Sequence, residues 1–300
     1  MPIAAPAPII AGRGLFGTLP DGSPVEWVTL VNRGGAAARL IGLGASLQSL
    51  WMPDRDGALA DIVLGHDDLE TYLSNRTFLG AIVGRYANRI AGGQFDLEGQ
   101  TYQTPCNDGP NCLHGGMKGL DLVPWTLSSH GDAEAVFTVH SPDGAEGFPG
   151  NLDITARYHL NDDNVLTVEI TARTDAPTVV NLTNHAYFNL GGAVTGGGIL
   201  GHELTLAASR YTPVDTNLIP TGELREVAGS PFDFRDAHSI GARIRDAGEA
   251  QLVLARGYDH NFVLDAGGGP EPAFAARVAD PMSGRTLELS TTEPGLQFYS

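Results

Sequence analysis

The run "NLDITARYHL", Asn151 to Leu160, carries Leu152, Ile154, Ala156, Tyr158 and Leu160 at every second position. A period of two places all five on one face of an extended chain, whereas a helix would scatter them around its circumference. The following "NDDN" is turn chemistry, and Leu166, Val168 and Ile170 form a matching face in the next run, so the segment predicts an antiparallel hairpin. Strand patterning recurs in "EWVTLVN", in "GQFDLEGQTYQT" with its turn at Glu98-Gly99, in "EAVFTVH", "HELTLAA" and "HNFVLD", and in the pair within "FAARVADPMSGRTLELST". Thirty-nine glycines and nineteen prolines punctuate these runs. Helical spacing is confined to "DDLETYLSN", with Asp67 or Asp68 as N-cap, and to a weaker "DAHSIGARI". Half-buried antiparallel sheets cover one face with another sheet, so the expected fold class is all-β, a large antiparallel β-sandwich with few short helices. No fixed-period repeat favours a propeller, and no linker or charge run divides the chain, so residues 1–300 are expected to form a single domain.

The charge balance narrows the partners. A net charge of −17 repels phosphate backbones and anionic lipid, which argues against nucleic acid and membrane surfaces and leaves neutral small molecules open. Two cysteines, Cys106 and Cys112, are too few for a disulfide framework and suit a reducing compartment. The opening "MPIAAPAPIIAGRG" lacks the basic flank of a signal peptide, and no run reaches the roughly 18 apolar residues of a membrane helix, so the expected location is cytoplasmic.

Several motif spellings fail on context. "GRGLFG" fits a dinucleotide loop, but a proline-bearing turn follows where a helix N-terminus is needed to receive the pyrophosphate. Cys106, Cys112 and His114 suggest zinc, yet five residues separate the thiols and no fourth ligand is in view, so no metal is expected.

Four polar clusters sit in apolar or glycine-rich strand context: Arg85, Asn88 and Arg89 in "GRYANRIAGG", His114 in "NCLHGG", Asn184, His185 and Tyr187 in "LTNHAYFNL", and Asp259 with His260 in "GYDHNFVL". Each alone reads well as a satisfied structural group, and Arg85 with Asp259 as a plain ion pair. Together, two histidines, an arginine and an aspartate beside glycines suit a grip on a polyhydroxylated ligand. Guanidinium donates in a fork, carboxylate accepts from hydroxyls, and glycine lets backbone come close.

With "GRYANRIAGGQF", "NCLHGG", "NLTNHAYFNL", "VDTNLIPTGE", "FDFR", "GYDHNFVL" and "TTEPGLQFYS" in order, the chain resembles the aldose 1-epimerase (galactose mutarotase) family. The resemblance implies a galactose mutarotase-like supersandwich and a cofactor-free isomerase that interconverts the α and β anomers of a free monosaccharide. It implies His185 as the catalytic acid and His114 as the second active-site histidine. Asn88, Arg89, Tyr187, Asp259 and Gln297 would hold the sugar, and Arg85 would be structural. A histidine, titrating near pH 6.5, can carry the proton that the ring oxygen needs on opening. The family's base is a glutamate in a strand after the "PGLQFY" segment, which places it beyond Ser300. The chain as given is therefore expected to lack its closing strands and to be nearly inactive. Two other functions remain open: a sugar-binding or regulatory protein without turnover, and an epimerase of phosphorylated hexoses.

Overall fold

The computed structural model describes residues 9–194 and 197–300, which divide into two compact units. The first comprises residues 9–53 and 59–188, the second residues 54–58 and 189–300 apart from the undescribed pair. Among the described residues the α-helices are Leu69–Ser74 and Ala250–Ala255; the rest of the regular structure is strand or short 3-10 turn.

The first unit opens with a five-stranded antiparallel sheet in sequence order: Gly12–Thr18, Pro24–Val31, Ala37–Ile41, Ser46–Pro53 and Leu59–Asp61. A four-stranded sheet follows, with Thr126–His130, Glu134–Ser141, Leu152–Leu160 and Leu166–Thr174 again in order. The alternation in Leu152–Leu160 appears in space as expected: Leu152, Ile154, Ala156, Tyr158 and Leu160 are each no more than 1% exposed. Each large apolar side chain so buried contributes about 1.5–3 kcal/mol of transfer free energy. The Pro24–Val31 strand packs on Glu134–Ser141 and Leu152–Leu160, so the two sheets cover each other's apolar faces. Asp68 caps the Leu69–Ser74 helix, accepting from the Thr71 amide at 2.8 Å, and the Glu98-Gly99 turn joins Gln94–Leu97 to Gln100–Gln103.

Arg85 is a structural clamp. Its guanidinium is buried and donates to the carbonyls of Ser141, Pro142, Pro149 and Gly150 and to the Ser141 hydroxyl, all within the first unit. Backbone carbonyls, rather than the Asp259 carboxylate that a plain ion pair would use, satisfy its donors.

In the second unit, strand pairing runs His238–Ser239, Glu203–Leu206, Ala273–Ala279, Thr286–Thr291 in one sheet and Arg225–Glu226, Arg210–Tyr211, Asp259–Val263, Gly295–Tyr299 in another. Its core is aromatic, with Tyr211 stacked on Phe232 at 4.2 Å and Tyr258, Phe234 and Phe262 around them. Of the weak helix expected at "DAHSIGARI", only a 3-10 turn forms, at Ile240–Ala242. His238 and Ser239 pair with Leu204 and Glu203 instead, and Gly241 lies against Leu200 too closely for a side chain. A helix at Ala250–Ala255, which the sequence did not announce, is capped by Glu249.

Candidate active site

Three segments of the first unit build a polar cluster. Thr183–Asn184 pairs with Ile82–Val83, and the next residue, His185, gives its amide to the Ala81 carbonyl at 2.8 Å and receives the Gly80 amide at 3.0 Å. The Asn184 amide group reaches the Gly80 carbonyl at 2.9 Å and the hydroxyl of the core residue Tyr158 at 3.2 Å. The buried Leu152–Leu160 strand thereby anchors the His185 loop. Arg89–Ile90 pairs with Cys112–Leu113, which brings Asn88 beside His114.

Asn88 and His114 brace each other. The His114 amide donates to the Asn88 carbonyl at 3.0 Å, and the Asn88 amide donates to His114 Nδ1 at 3.0 Å. A ring nitrogen that accepts carries no proton, so His114 is held as the neutral tautomer with its proton on Nε2. Burial pushes its pKa down to about 3, and His185, Arg89 and Arg76 push the same way because each disfavours a second positive charge. Both residues adopt left-handed backbone, Asn88 at φ 62° and His114 at φ 49°. Such conformations cost about 1–3 kcal/mol each outside glycine and concentrate at functional sites.

The two imidazoles meet edge to face, with centroids 5.0 Å apart. Phe78 lies 4.7 Å from His114 and 5.8 Å from His185, and Tyr187 lies 5.1 Å from His185. Arg89 is tied through Nε to Asp108 at 2.7 Å and through Nη1 to the Asn88 side chain at 3.3 Å, while its Nη2 makes no hydrogen bond among the described residues. A hydrogen-bond acceptor on a ligand can take that donor.

The structure thus brings together five of the expected residues, Asn88, Arg89, His114, His185 and Tyr187, within the first unit. Asp259 and Gln297 lie on paired strands of the second unit, where the Gln297 amide donates to the Asp259 carboxylate at 2.7 Å. Their neighbour His260 is a core residue. It is fully buried, its Nδ1 accepts from the Asp259 amide, its Nε2 faces Gln251, and burial pushes its pKa down to about 4. Phe78, Arg76 and Asp108 escaped the sequence reading. "NRTFLGA" carries no spelling that sets Phe78 apart from an ordinary core aromatic, and only its φ of 58° and its two imidazole neighbours do so.

The low values for His114 and His260 carry a stability consequence. Between their folded values and the unfolded value near 6.5, the unfolded chain binds more protons, so their contribution is complete above about pH 6.5 and is lost as pH falls towards 4. Urea midpoints should therefore drop between pH 7.5 and pH 4.5. A His260→Gln chain should lose less over that interval than the parent, and a flat parent profile would contradict the assignment.

Against known proteins, the aldose 1-epimerase family model matches residues 26–300. A galactose mutarotase from Bos taurus is 43% identical over 290 residues, 96% of this chain and 81% of that protein. An aldose 1-epimerase from Escherichia coli (strain K12) is 40% identical over 281 residues, covering 94% of this chain and 80% of that one. The crystal structure of an aldose epimerase homologue from C. elegans superimposes with a TM-score of 0.82 at 32% identity, over 90% of this chain and 80% of that one. The all-β architecture is accordingly of the galactose mutarotase-like type, and the chain belongs to the aldose 1-epimerase family.

Proposed function

We propose that this chain is a mutarotase, an isomerase that interconverts the α and β anomers of a free aldose such as galactose or glucose without a cofactor. The observation that carries the reading is the edge-to-face pair of His114 and His185, with the tautomer of His114 set by the Asn88 amide. His114 is neutral and presents an Nε2–H, so it stabilises charge on a sugar oxygen by hydrogen bonding. His185 is then the imidazole that hands a proton to the ring oxygen as the C1–O5 bond breaks. A base takes the proton of the anomeric hydroxyl, the carbonyl forms, the C1–C2 bond rotates, and the same steps in reverse close the other anomer. Asp108 and Asp121 are engaged by Arg89 and Arg76, so neither stands as that base. Arg89 offers Nη2 to a hydroxyl, and Asn88 and Tyr187 complete the polar wall within the first unit.

The engaged arginines also favour a neutral sugar over a phosphorylated one, because each already faces a carboxylate that would repel phosphate. We place the enzyme in the cytoplasm, in keeping with two free cysteines; among the described residues no helix is long and apolar enough to cross a membrane. The test is polarimetry on freshly dissolved α-D-glucose and α-D-galactose, run with this chain and with one continued past Ser300, alongside binding of galactose, glucose and glucose 6-phosphate. Binding of the neutral sugars, and acceleration above the spontaneous rate by at least one of the two chains, are expected. Sugar binding without acceleration in either chain would make it a sugar-binding protein, and preference for glucose 6-phosphate would make it a hexose-phosphate epimerase.

A further inference from the structure

Arg76 takes no part in the chemistry above, yet its side chain touches both the ring that stands against the histidine pair and the turn after His114. Nε and Nη2 form a two-pronged ion pair with Asp121, both at 2.7 Å, and the Asp121 side chain is only 3% exposed. Nη1 donates to the carbonyls of Gly116 at 2.8 Å and Met117 at 3.1 Å, the turn that follows His114. The guanidinium carbon lies over the Phe78 ring, 4.8 Å from its centre, and that ring stands against both imidazoles. Asn107 reinforces the same turn, donating to the carbonyls of Leu113 and Gly116. Arg76 therefore reaches His114 by two independent routes, one through an aromatic ring and one through the backbone just beyond it.

We propose that Arg76, clamped by Asp121, is a positioning residue for the reaction: it holds Phe78 as the wall against which His114 and His185 keep their edge-to-face geometry, and it pins the turn after His114. The assignment rests on the reading that these two imidazoles react with the sugar. Arginine suits this place because one planar group supplies a carboxylate fork, further donors for carbonyls and a face for the ring, whereas lysine supplies a point charge alone. The charge has a second effect. The charged or titratable groups around His114 are His185, Arg89 with Asp108, and Arg76 with Asp121, and the two guanidiniums and His185 oppose a proton on it. Loss of the Arg76 charge beside a remaining Asp121 carboxylate would favour that proton, and a protonated Nδ1 could no longer accept from the Asn88 amide.

The experiment compares the parent with Arg76→Met, Arg76→Lys and the double variant Arg76→Gln/Asp121→Asn, the last removing the buried charge together with its partner. Readouts are urea midpoint, kcat and KM by polarimetry, and imidazole 15N shifts of His114 and His185 from pH 4 to 8. In Arg76→Met, kcat should fall about 10- to 100-fold with a smaller change in KM, because misplacement of reacting groups by an ångström costs on that order. His114 should begin to titrate within the measured range. The double variant should recover the urea midpoint and leave kcat low, and Arg76→Lys should restore the His114 titration more than kcat. Unchanged His114 and His185 shifts in a folded double variant would overturn the proposal. The 15N readout needs no turnover. Altered imidazoles, with anomerisation accelerated neither by this chain nor by one continued past Ser300, would support the positioning role and refute the mutarotase reading.

Discussion

Replacing His185 with asparagine should lower kcat for anomerisation by about 10²- to 10⁴-fold, the usual worth of a positioned general acid. KM should move far less, since asparagine still offers hydrogen bonds to a sugar. The size of the effect rests on His114 being unable to take over. Its Nδ1 is committed to the Asn88 amide, and its pKa, pushed down to about 3, leaves no transferable imidazolium charge at neutral pH. A His114→Ala chain removes a hydrogen-bond donor to developing charge, a loss of about 10²- to 10³-fold. The His185→Asn variant should also lose the alkaline fall in rate, because a general acid works only while protonated. Retention of the full rate by His185→Asn, in this chain and in one continued past Ser300, would end the mechanism proposed for it.

Gly115→Ala should produce the largest loss of stability, about 3 kcal/mol or more, together with loss of activity. A Cβ at Gly115 would stand 1.8 Å from the Gly84 carbonyl oxygen and 2.8 Å from the Arg85 amide nitrogen, and the residue has φ +85°. These neighbours are backbone, and that backbone is held: the Gly84 oxygen accepts from the Leu120 amide, and the Arg85 side chain is locked onto four carbonyls. Neither side can yield without moving His114, one residue away. Gly99→Ala serves as the control, because Gly99 also has positive φ, +80°, but faces open space. It should cost only about 1 kcal/mol, the conformational penalty alone. Urea denaturation of both variants measures the difference, and equal midpoints would show that the turn after His114 relaxes freely.

Much of the fold and part of the site were legible in the sequence, for reasons that differ by residue. Side chains at Leu152 to Leu160 alternate because a strand exposes its two faces in turn, and that period survives in any fold that buries one face. Asp68 and the Glu98-Gly99 turn were equally readable, since caps and hairpin turns depend on neighbours a few residues away. The helix at Ala250–Ala255 was not. Six residues give too little periodicity to separate a helix from a strand, and its cap is a glutamate rather than a usual capping residue. The expected helix at "DAHSIGARI" shrank to a 3-10 turn at Ile240–Ala242 for the opposite reason, because the strand Glu203–Leu206, far away in sequence, paired with its His238 and Ser239.

The sequence by itself determined the residue types at the site, the strand-dominated class and the family, because ordered motifs and alternation are properties of the chain. Tertiary structure alone decided that Arg85 binds carbonyls rather than a carboxylate, that Phe78 and Arg76 stand behind the histidines, and which nitrogen of His114 holds the proton. Each of these depends on hydrogen-bond and ring partners many residues apart, brought within a few ångströms by sheet packing, and no local pattern encodes such distances.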